Sequence, residues 1–511
     1  MKGCLVLQRQ FAYVGHELAV LLKEKHGIGE FCVFANQRGS YDFLVSQKDI
    51  EYTSIMLDED IHKQYRTELL DLPYLEAFEK EHGNLWSFIN VDRVIRLGQL
   101  VREYPYDTPP YTYEEMLRIV QVYAKNISAF LDRERPDFVF TYLPGGLWMV
   151  LLNAIAKKRG IPVIFIVHPL TRDRISLSLE YDRLTWVEKA VERNKNTALE
   201  AIPRYEQARR HIEEFRSRPA MYSAAYASLI HHGRRKYFKF LLPNNLLRSV
   251  RWILKMVREW LRESERRDDY ITVHPINYVV DRVRRKVRNL VGADDLYDAY
   301  DPSKPFVFYP LHYEPELTVL LLAPFDTDQL SIVRRLARSL PAGMYVYVKE
   351  HPQMVPFRPR AYYKELKKIP NVRLIRPELS SFDIIRASKL VAIISGGAGW
   401  EATLLGKPVI TFGHIFYNAL PSVAHSSVPE ELPELVLRQL TVEARLEDVT
   451  RFFVALLEES AVCDLIYIWE FETDREKRRA ALEEFAGFIA KKIRLVVEGE
   501  DAPQRRVRSA L

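Results

Sequence analysis

The stretch from Ser395 to Gly413, Ser-Gly-Gly-Ala-Gly-Trp-Glu-Ala-Thr-Leu-Leu-Gly-Lys-Pro-Val-Ile-Thr-Phe-Gly, constrains this chain more than any other. The apolar run Leu390 to Ile394 before it, bounded by turn residues, reads as a buried parallel strand. Trp400 to Leu405 reads as a helix that stops at Gly406, with Pro408 just beyond and Val409 to Phe412 as the next strand. The glycines therefore occupy a strand-to-helix turn of an α/β unit. Backbone N–H groups are unpaired at a helix start, and an anion approaches closely where no side chains stand in the way. Glu401, in the first turn, is placed to reach a hydroxyl-bearing ligand. A tight turn that needs small residues only for packing accounts for the glycines equally well.

At 511 residues the chain is too long for one core, and two or three domains are expected. No apolar run of 18 or more uncharged residues occurs, so no membrane-spanning helix is predicted. The N-terminus turns polar by Gln8, too soon for a signal peptide. Three scattered cysteines, Cys4, Cys32 and Cys463, form neither a disulfide framework nor a zinc spacing, which favours a reducing cytosol.

Short apolar runs alternate with helical patterns in two regions. In the first, strands are predicted at Leu5 to Leu7, Phe31 to Ala35, Asp137 to Phe140 and Val163 to Val167. In the second they fall at Phe306 to Tyr309, Met344 to Lys349, Val372 to Ile375 and the opening motif. Such alternation means parallel sheets with crossover helices. The pattern predicts a Rossmann-like domain over 1–177, a basic helical insertion over 178–300 and a second Rossmann-like domain over 301–440. Helices follow over 441–498 and a disordered tail over 499–511. Ligands of open α/β sheets bind at the carboxyl ends of strands, so a cleft between the two sheets is the expected site.

Charge is unevenly spread. From Arg204 to Leu290 there are 21 Lys plus Arg against 9 Asp plus Glu, a net +12 in a chain of total +6, so everything else is net −6. Within 234–262, apolar and cationic residues interleave at helical spacing with Trp252 and Trp260. That composition suits an anionic membrane surface, and it also suits an amphipathic helix packed on a core. No nucleic-acid-binding motif accompanies it.

Candidate chemistry gathers at predicted strand ends. Lys349-Glu350-His351-Pro352 ends one strand, where a lysine and a histidine can meet phosphate oxygens. Leu311-His312-Tyr313-Glu314-Pro315-Glu316 follows another, and offers His312, Glu314 and Glu316 for hydroxyl binding or proton transfer. Ser380 and Ser381 open the helix before the glycine turn, as an N-cap or as hydroxyls facing a phosphate. In the first region the candidates are Gln8, Gly15, His16, Arg38, Asp42 and His168; Gln8, His16 and His168 follow or flank strand ends, with His16 the candidate for proton transfer. Gly145-Gly146 lacks a full dinucleotide fingerprint. Asp326-Thr327-Asp328 precedes a predicted helix and reads as a cap. Asp58-Glu59-Asp60 lies in a polar stretch with no predicted strand ending before it. Neither pair is assigned a metal, and a metal-independent reaction is expected.

In order, these C-terminal elements resemble the capsule polysaccharide biosynthesis family, bacterial transferases that build surface glycans and include enzymes that move 3-deoxy-octulosonic acid (Kdo) from a CMP donor. The likeness is strong over 305–420. It implies a GT-B-like pair of domains, with a donor nucleotide on the second. It further implies a nucleotide element at His351 and Pro352, a phosphate contact at Lys349, a phosphate turn over Ser395, Gly396, Gly397 and Gly399, and a ribose or sugar contact at Glu401. Kdo-transferring members often carry Gln and Asp where this chain has His312 and Glu316, so the donor sugar stays open, a CMP-linked sugar among the options. The expected activity is glycosyl transfer from a nucleotide-sugar co-substrate to a glycan or glycolipid, in the cytoplasm or at the inner membrane face, with no further cofactor. Transfer of a polyol phosphate, a sugar-nucleotide epimerase and a non-catalytic scaffold of the same fold are the alternatives.

Overall fold

Short runs of β-branched and aromatic residues, buried on both faces, form two sheets. A computed structural model describes residues 1–8, 11–98, 109–221, 243–262, 274–470, 472 and 474–499. The first sheet uses β1 (Lys2–Leu7), β2 (Glu30–Ala35), β3 (Tyr52–Leu57), β4 (Phe138–Thr141), β5 (Val163–Val167) and β6 (Arg174–Ser178). The second uses β7 (Phe306–Pro310), β8 (Tyr345–Lys349), β9 (Val372–Ile375), β10 (Leu390–Ile393), β11 (Val409–Thr411) and β12 (Val423–His425). A last strand, β13 (Ser460–Val462), joins the first sheet.

The first sheet runs β13-β6-β5-β4-β1-β2-β3. Strands β5, β4, β1, β2 and β3 are parallel, while β6 and β13 are antiparallel additions at one edge. The second runs β12-β11-β10-β7-β8-β9 and is parallel throughout. Parallel strands all end on the same edge, so the turns after β7, β8 and β10 converge. Both sheets are Rossmann-like in this sense, as the alternation predicts.

The chain divides into two units: Met1–Asp92, Tyr111–Arg204 and Phe452–Leu511 in one, Arg93–Pro110 and Tyr205–Arg451 in the other. This differs from the expected boundaries at 177, 300 and 440. Residues 178–204 stay with the first unit, while the rest of the helical middle goes with the second. The C-terminal helices are not a separate body. Ser460, Ala461 and Val462 pair with Ser176, Ile175 and Arg174. The Arg475–Val497 helix buries Leu482, Phe485, Ile489 and Ile493 in the same cluster as Leu18 and Leu22 of the Phe11–His26 helix. Apolar spacing shows that this helix has a buried face, but nothing local says which sheet receives it.

Strands β3, β6, β12 and β13 escape the sequence pattern because they are short or interleave Ser, Thr and Arg with apolar residues. Asp58 therefore does follow a strand, since β3 ends at Leu57. The helix at the glycine turn spans Gly397–Leu404 and starts three residues earlier than expected. Gly396 alone, at φ +97°, makes the turn, and the later glycines are already helical. The tail beyond Gly499 lies outside the described residues.

Asp328 Oδ1 accepts from the N–H groups of Leu330 and Ser331 at 3.0 and 3.2 Å and caps the Gln329–Arg338 helix, while Asp326 takes Arg335. The second Asp-x-Asp pair is thus structural. Asp328→Ala is expected to cost about 1 kcal/mol, read as a lower urea midpoint at unchanged slope.

Candidate functional site

Three strand ends of the second sheet build one cavity of about 770 Å3. From the turn after β7 come His312, Tyr313 and Glu316. From β8 and its turn come Lys349, Glu350 and His351, and from the turn after β10 come Ser395, Gly396 and Gly397. Ser380, Ser381 and Glu401 complete the set. Of the twelve site residues expected from the sequence of this unit, ten line this cavity; Glu314 and Gly399 do not.

The turn after β7 is fixed by backbone and side-chain bonds. The Leu311 N–H donates to the Lys349 carbonyl at 2.8 Å, and the His312 N–H donates to Gln329 Oε1 at 2.7 Å. The Ser395 N–H donates to His312 Nε2 at 3.3 Å. Nε2 is thus the acceptor in that bond, and Nδ1 faces Glu316 Oε2 at 3.8 Å. The Glu316 side chain keeps 40% of its surface accessible.

Beneath the turns lies a fully buried guanidinium. Arg358 Nε donates to Glu350 Oε2 at 2.6 Å, Nη1 to Glu314 Oε2 at 2.5 Å and Nη2 to the His312 carbonyl at 2.9 Å. Glu350 also accepts from Tyr363 Oη at 2.9 Å and, through Oε1, from the His351 N–H at 2.7 Å. Glu314 is therefore a structural counter-charge, not the proton-transfer group the sequence suggests. It is used up by Arg358.

Lys349 is buried, and its Nζ donates to Ser381 Oγ at 2.8 Å. Burial pulls its ammonium down to about 8, against the opposing charges of Glu401, Glu378 and Glu350. Burial pushes the Glu401 carboxyl up to about 7, with the Lys349 charge opposing. His351 is pulled down to about 4 by burial, so it is neutral at neutral pH, and its Nδ1 accepts from the Gln353 N–H at 3.3 Å. Ser380 Oγ accepts from the Asp383 N–H at 3.3 Å, the expected cap.

The glycine turn divides its labour. Gly396 needs its positive φ, and a Cβ there would meet His312 Cε1 at 3.4 Å. No side chain caps the Gly397–Leu404 helix. Gly399 instead makes room for Tyr417, whose Oη donates to the Gly396 carbonyl at 2.9 Å. Ser395 Oγ is buried and without a hydrogen-bond partner. Uncapped N–H groups, a buried lysine and an unsatisfied hydroxyl facing one cavity suit an anionic, oxygen-rich ligand.

A second cavity of about 1050 Å3 adjoins the first, and Tyr313, Pro352, Pro377 and Glu378 line both. The Tyr313 ring stands edge-on to His351 at 5.8 Å and to Phe357 at 6.1 Å, as part of the partition.

The first-unit candidates do not gather into a comparable set. His16 is buried, its Nδ1 lies 2.7 Å from Tyr52 Oη, and burial lowers its pKa. Gly15 packs against Leu7, where a Cβ would collide with that side chain. Arg38 pairs with Asp60, and its N–H donates to Glu59 Oε1 at 2.9 Å. Asp58 accepts from Tyr123 Oη. His168 Nδ1 accepts from the Leu170 N–H at 3.0 Å.

Residues 261–423 match the family model of capsule polysaccharide biosynthesis proteins. Protein FixF of Sinorhizobium fredii is 32% identical over 121 residues, 23% of this chain and 29% of that protein. The capsule polysaccharide modification protein LipA of Neisseria meningitidis is 20% identical over 190 residues, 37% of this chain and 26% of that one. The matched stretches thus cover less than a third of either relative. Among solved structures, the KpsC beta Kdo 2,4 transferase of Thermosulfurimonas dismutans aligns over 63% of this chain and 79% of its own, at 15% identity and TM-score 0.34. The UDP-GlcNAc 2-epimerase of Methanocaldococcus jannaschii aligns over 90% and 99%, at 11% identity and TM-score 0.24.

The stretch that matches the family model, 261–423, supplies all the cavity residues named above and the Arg358 cluster. Sequence reasoning missed Arg358, Tyr313 and Glu378. Arg358 carries a signal in retrospect: it lies nine residues beyond a strand-end Lys-Glu, and a buried glutamate needs a cation. Arg358→Met is expected to destabilise the protein by about 3–5 kcal/mol, because Glu350 and Glu314 are left buried without a counter-charge. Urea unfolding measures it. A cost under about 1 kcal/mol would show that the cluster is not what holds these turns.

Proposed function

We propose that this chain is a GT-B-type glycosyltransferase that uses a nucleotide-activated sugar in capsular or other cell-surface polysaccharide synthesis. One observation carries the reading: Lys349, the uncapped start of the Gly397–Leu404 helix and Glu401 face a single cavity built from three parallel strand ends. The family match over 261–423 supports the same reading.

In this mechanism the donor phosphates rest on the Ser395–Gly397 turn. Lys349 and the helix N–H groups meet their charge, so the departing nucleotide needs no metal. Glu401 accepts a hydroxyl of the ribose or sugar. The bond between the anomeric carbon and the phosphate oxygen breaks, and the electron pair leaves with the nucleotide. The acceptor hydroxyl bonds to that carbon and gives its proton to Glu316, whose Oε2 lies 3.8 Å from His312 Nδ1. The acceptor is a glycan or glycolipid, and the reaction takes place in the cytoplasm at the inner face of the membrane.

A thermal-shift panel over CMP, CDP, UDP and GDP derivatives tests the donor site. One nucleotide is expected to raise the melting temperature, and Lys349→Ala and Glu401→Ala are expected to abolish that rise. A panel without any stabilising nucleotide would point to a non-catalytic scaffold, and a phosphodiester product to polyol-phosphate transfer.

Affinity for the nucleotide should also depend on pH. Glu401 becomes anionic as pH rises through about 7, and Lys349 loses its charge as pH rises through about 8. Both changes weaken anion binding, so the dissociation constant is expected to rise between pH 7 and 9. In titration calorimetry, Glu401→Gln should flatten the lower part of that rise and Lys349→Arg the upper part. A flat wild-type profile would sink the assignment.

A further inference from the structure

Two helices of the second unit leave an apolar stripe uncovered. The Pro243–Arg262 helix exposes Leu246, Leu247, Val250, Leu254, Val257 and Leu261. At helical spacing these fall within about 100° of arc. The Pro275–Val291 helix exposes Ile276, Val280, Val283, Val287, Leu290 and Val291, again within about 100°. Leu254 is 64% exposed and Val283 54%.

The helices meet through other side chains. Trp252 stands edge-on to Tyr278 at 6.1 Å, Arg282 lies 3.9 Å from the Trp252 ring centre, and Trp260 contacts His274 at 4.7 Å. The stripes are therefore not consumed by the packing of the pair. Isolated exposed apolar residues are ordinary, but contiguous rows on neighbouring helices mark an interaction surface.

Cations accompany both stripes. The first helix carries Arg248, Arg251, Lys255, Arg258 and Arg262, and the second has five Lys or Arg of its own. Each helix has one acidic residue, and that of the second, Asp281, is buried and paired with Arg285. A partner must offer apolar depth and negative charge together. A second copy of this chain would bring the same cations against these. No described helix is long and apolar enough to cross a membrane.

We infer that this helix pair docks the second unit on an anionic lipid bilayer. The stripes enter the boundary between headgroups and acyl chains, and the arginines meet lipid phosphates. Of the stretch 234–262 expected to touch a membrane, residues 234–242 lie outside the described residues. The Pro275–Val291 helix was no part of that expectation, yet it contributes half of the surface. The inference concerns where the protein works and stands apart from the donor-site reading.

Co-sedimentation of the full chain with vesicles tests it. Binding to phosphatidylcholine mixed with phosphatidylserine should exceed binding to phosphatidylcholine alone by about tenfold and fall as salt is added. Leu254→Asp combined with Val283→Asp should abolish binding, and Arg251→Glu with Arg258→Glu should abolish the preference for the anionic vesicles. These positions are exposed, so circular dichroism and the melting temperature should match the wild type. Lys349→Ala should bind vesicles normally while losing the nucleotide. The inference is overturned if the wild type ignores anionic vesicles or binds both kinds equally. It is also overturned if the double aspartate variant still binds, if Lys349→Ala does not, or if those aspartates instead dissolve a lipid-free dimer seen by light scattering.

Discussion

The buried guanidinium of Arg358 joins the turns that the candidate site is made from. It bonds Glu350 at the end of β8, Glu314 in the loop after β7, and the carbonyl of His312 between them. Removing three charges from water is costly, and the arrangement persists only where every donor and acceptor finds a partner. Glu350 satisfies both oxygens, with Tyr363 and the His351 N–H as further donors. Burial still raises its carboxyl above the ordinary range, with the Arg358 charge opposing. The consequence reaches the cavity. Because the His312 carbonyl and the His351 N–H are both tied to this cluster, two imidazoles are positioned from below rather than by one another.

Above that rigid floor the cavity is electrostatically unfinished. For Lys349 the folded value lies below the unfolded one, so the cost to folding is fully present below about pH 8 and fades as pH rises toward the ordinary lysine value. For Glu401 the folded value lies above the unfolded one, so its cost is absent at low pH and complete above about 7. Near neutral pH the two costs coexist. A nucleotide phosphate placed against Lys349 and the helix N–H groups offsets the first, and its negative charge draws Glu401 back toward the neutral form, which removes the second. Stability given up by the empty site is thus returned as binding, which is why perturbed carboxylates and lysines cluster where ligands bind.

Strand ends were the readable part of this molecule. The apolar runs at Phe306, Tyr345 and Leu390 announce parallel strands, and parallel strands oblige Lys349, His312 and Ser395 to share an edge. The same logic misjudged Glu314 and Gly399. Neither error is visible in a linear pattern, because each depends on a residue that comes from elsewhere in the chain: Arg358 for the glutamate, Tyr417 for the glycine. The strands that interleave Ser, Thr and Arg with apolar residues, such as β3 and β6, escaped for another reason. β6 is buried through its neighbours in the sheet, while β3, at the edge, buries only Leu57, so propensity alone understates both. Destination was equally hidden in the C-terminal helix, whose apolar face is evident but whose receiving sheet is not.

The Pro275–Val291 helix connects the proposed lipid surface with the interior of its unit. Val283 and Val287 belong to the exposed stripe, and Val287 and Val291 also line the larger cavity beside the candidate site, together with Arg285 and Arg288. The Arg288 side chain donates to the Phe357 carbonyl, and Arg285 lies 4.8 Å from the Phe357 ring centre. Phe357 in turn faces Tyr313, part of the partition between the cavities. Side chains on one helix cannot move independently of its axis. A bilayer that restrains the stripe therefore restrains the arginine wall as well, and the restraint reaches Tyr313 through two contacts. The stripe proposed to meet the bilayer thus runs into the wall of the cavity that adjoins the candidate site, because Val287 and Val291 belong to both.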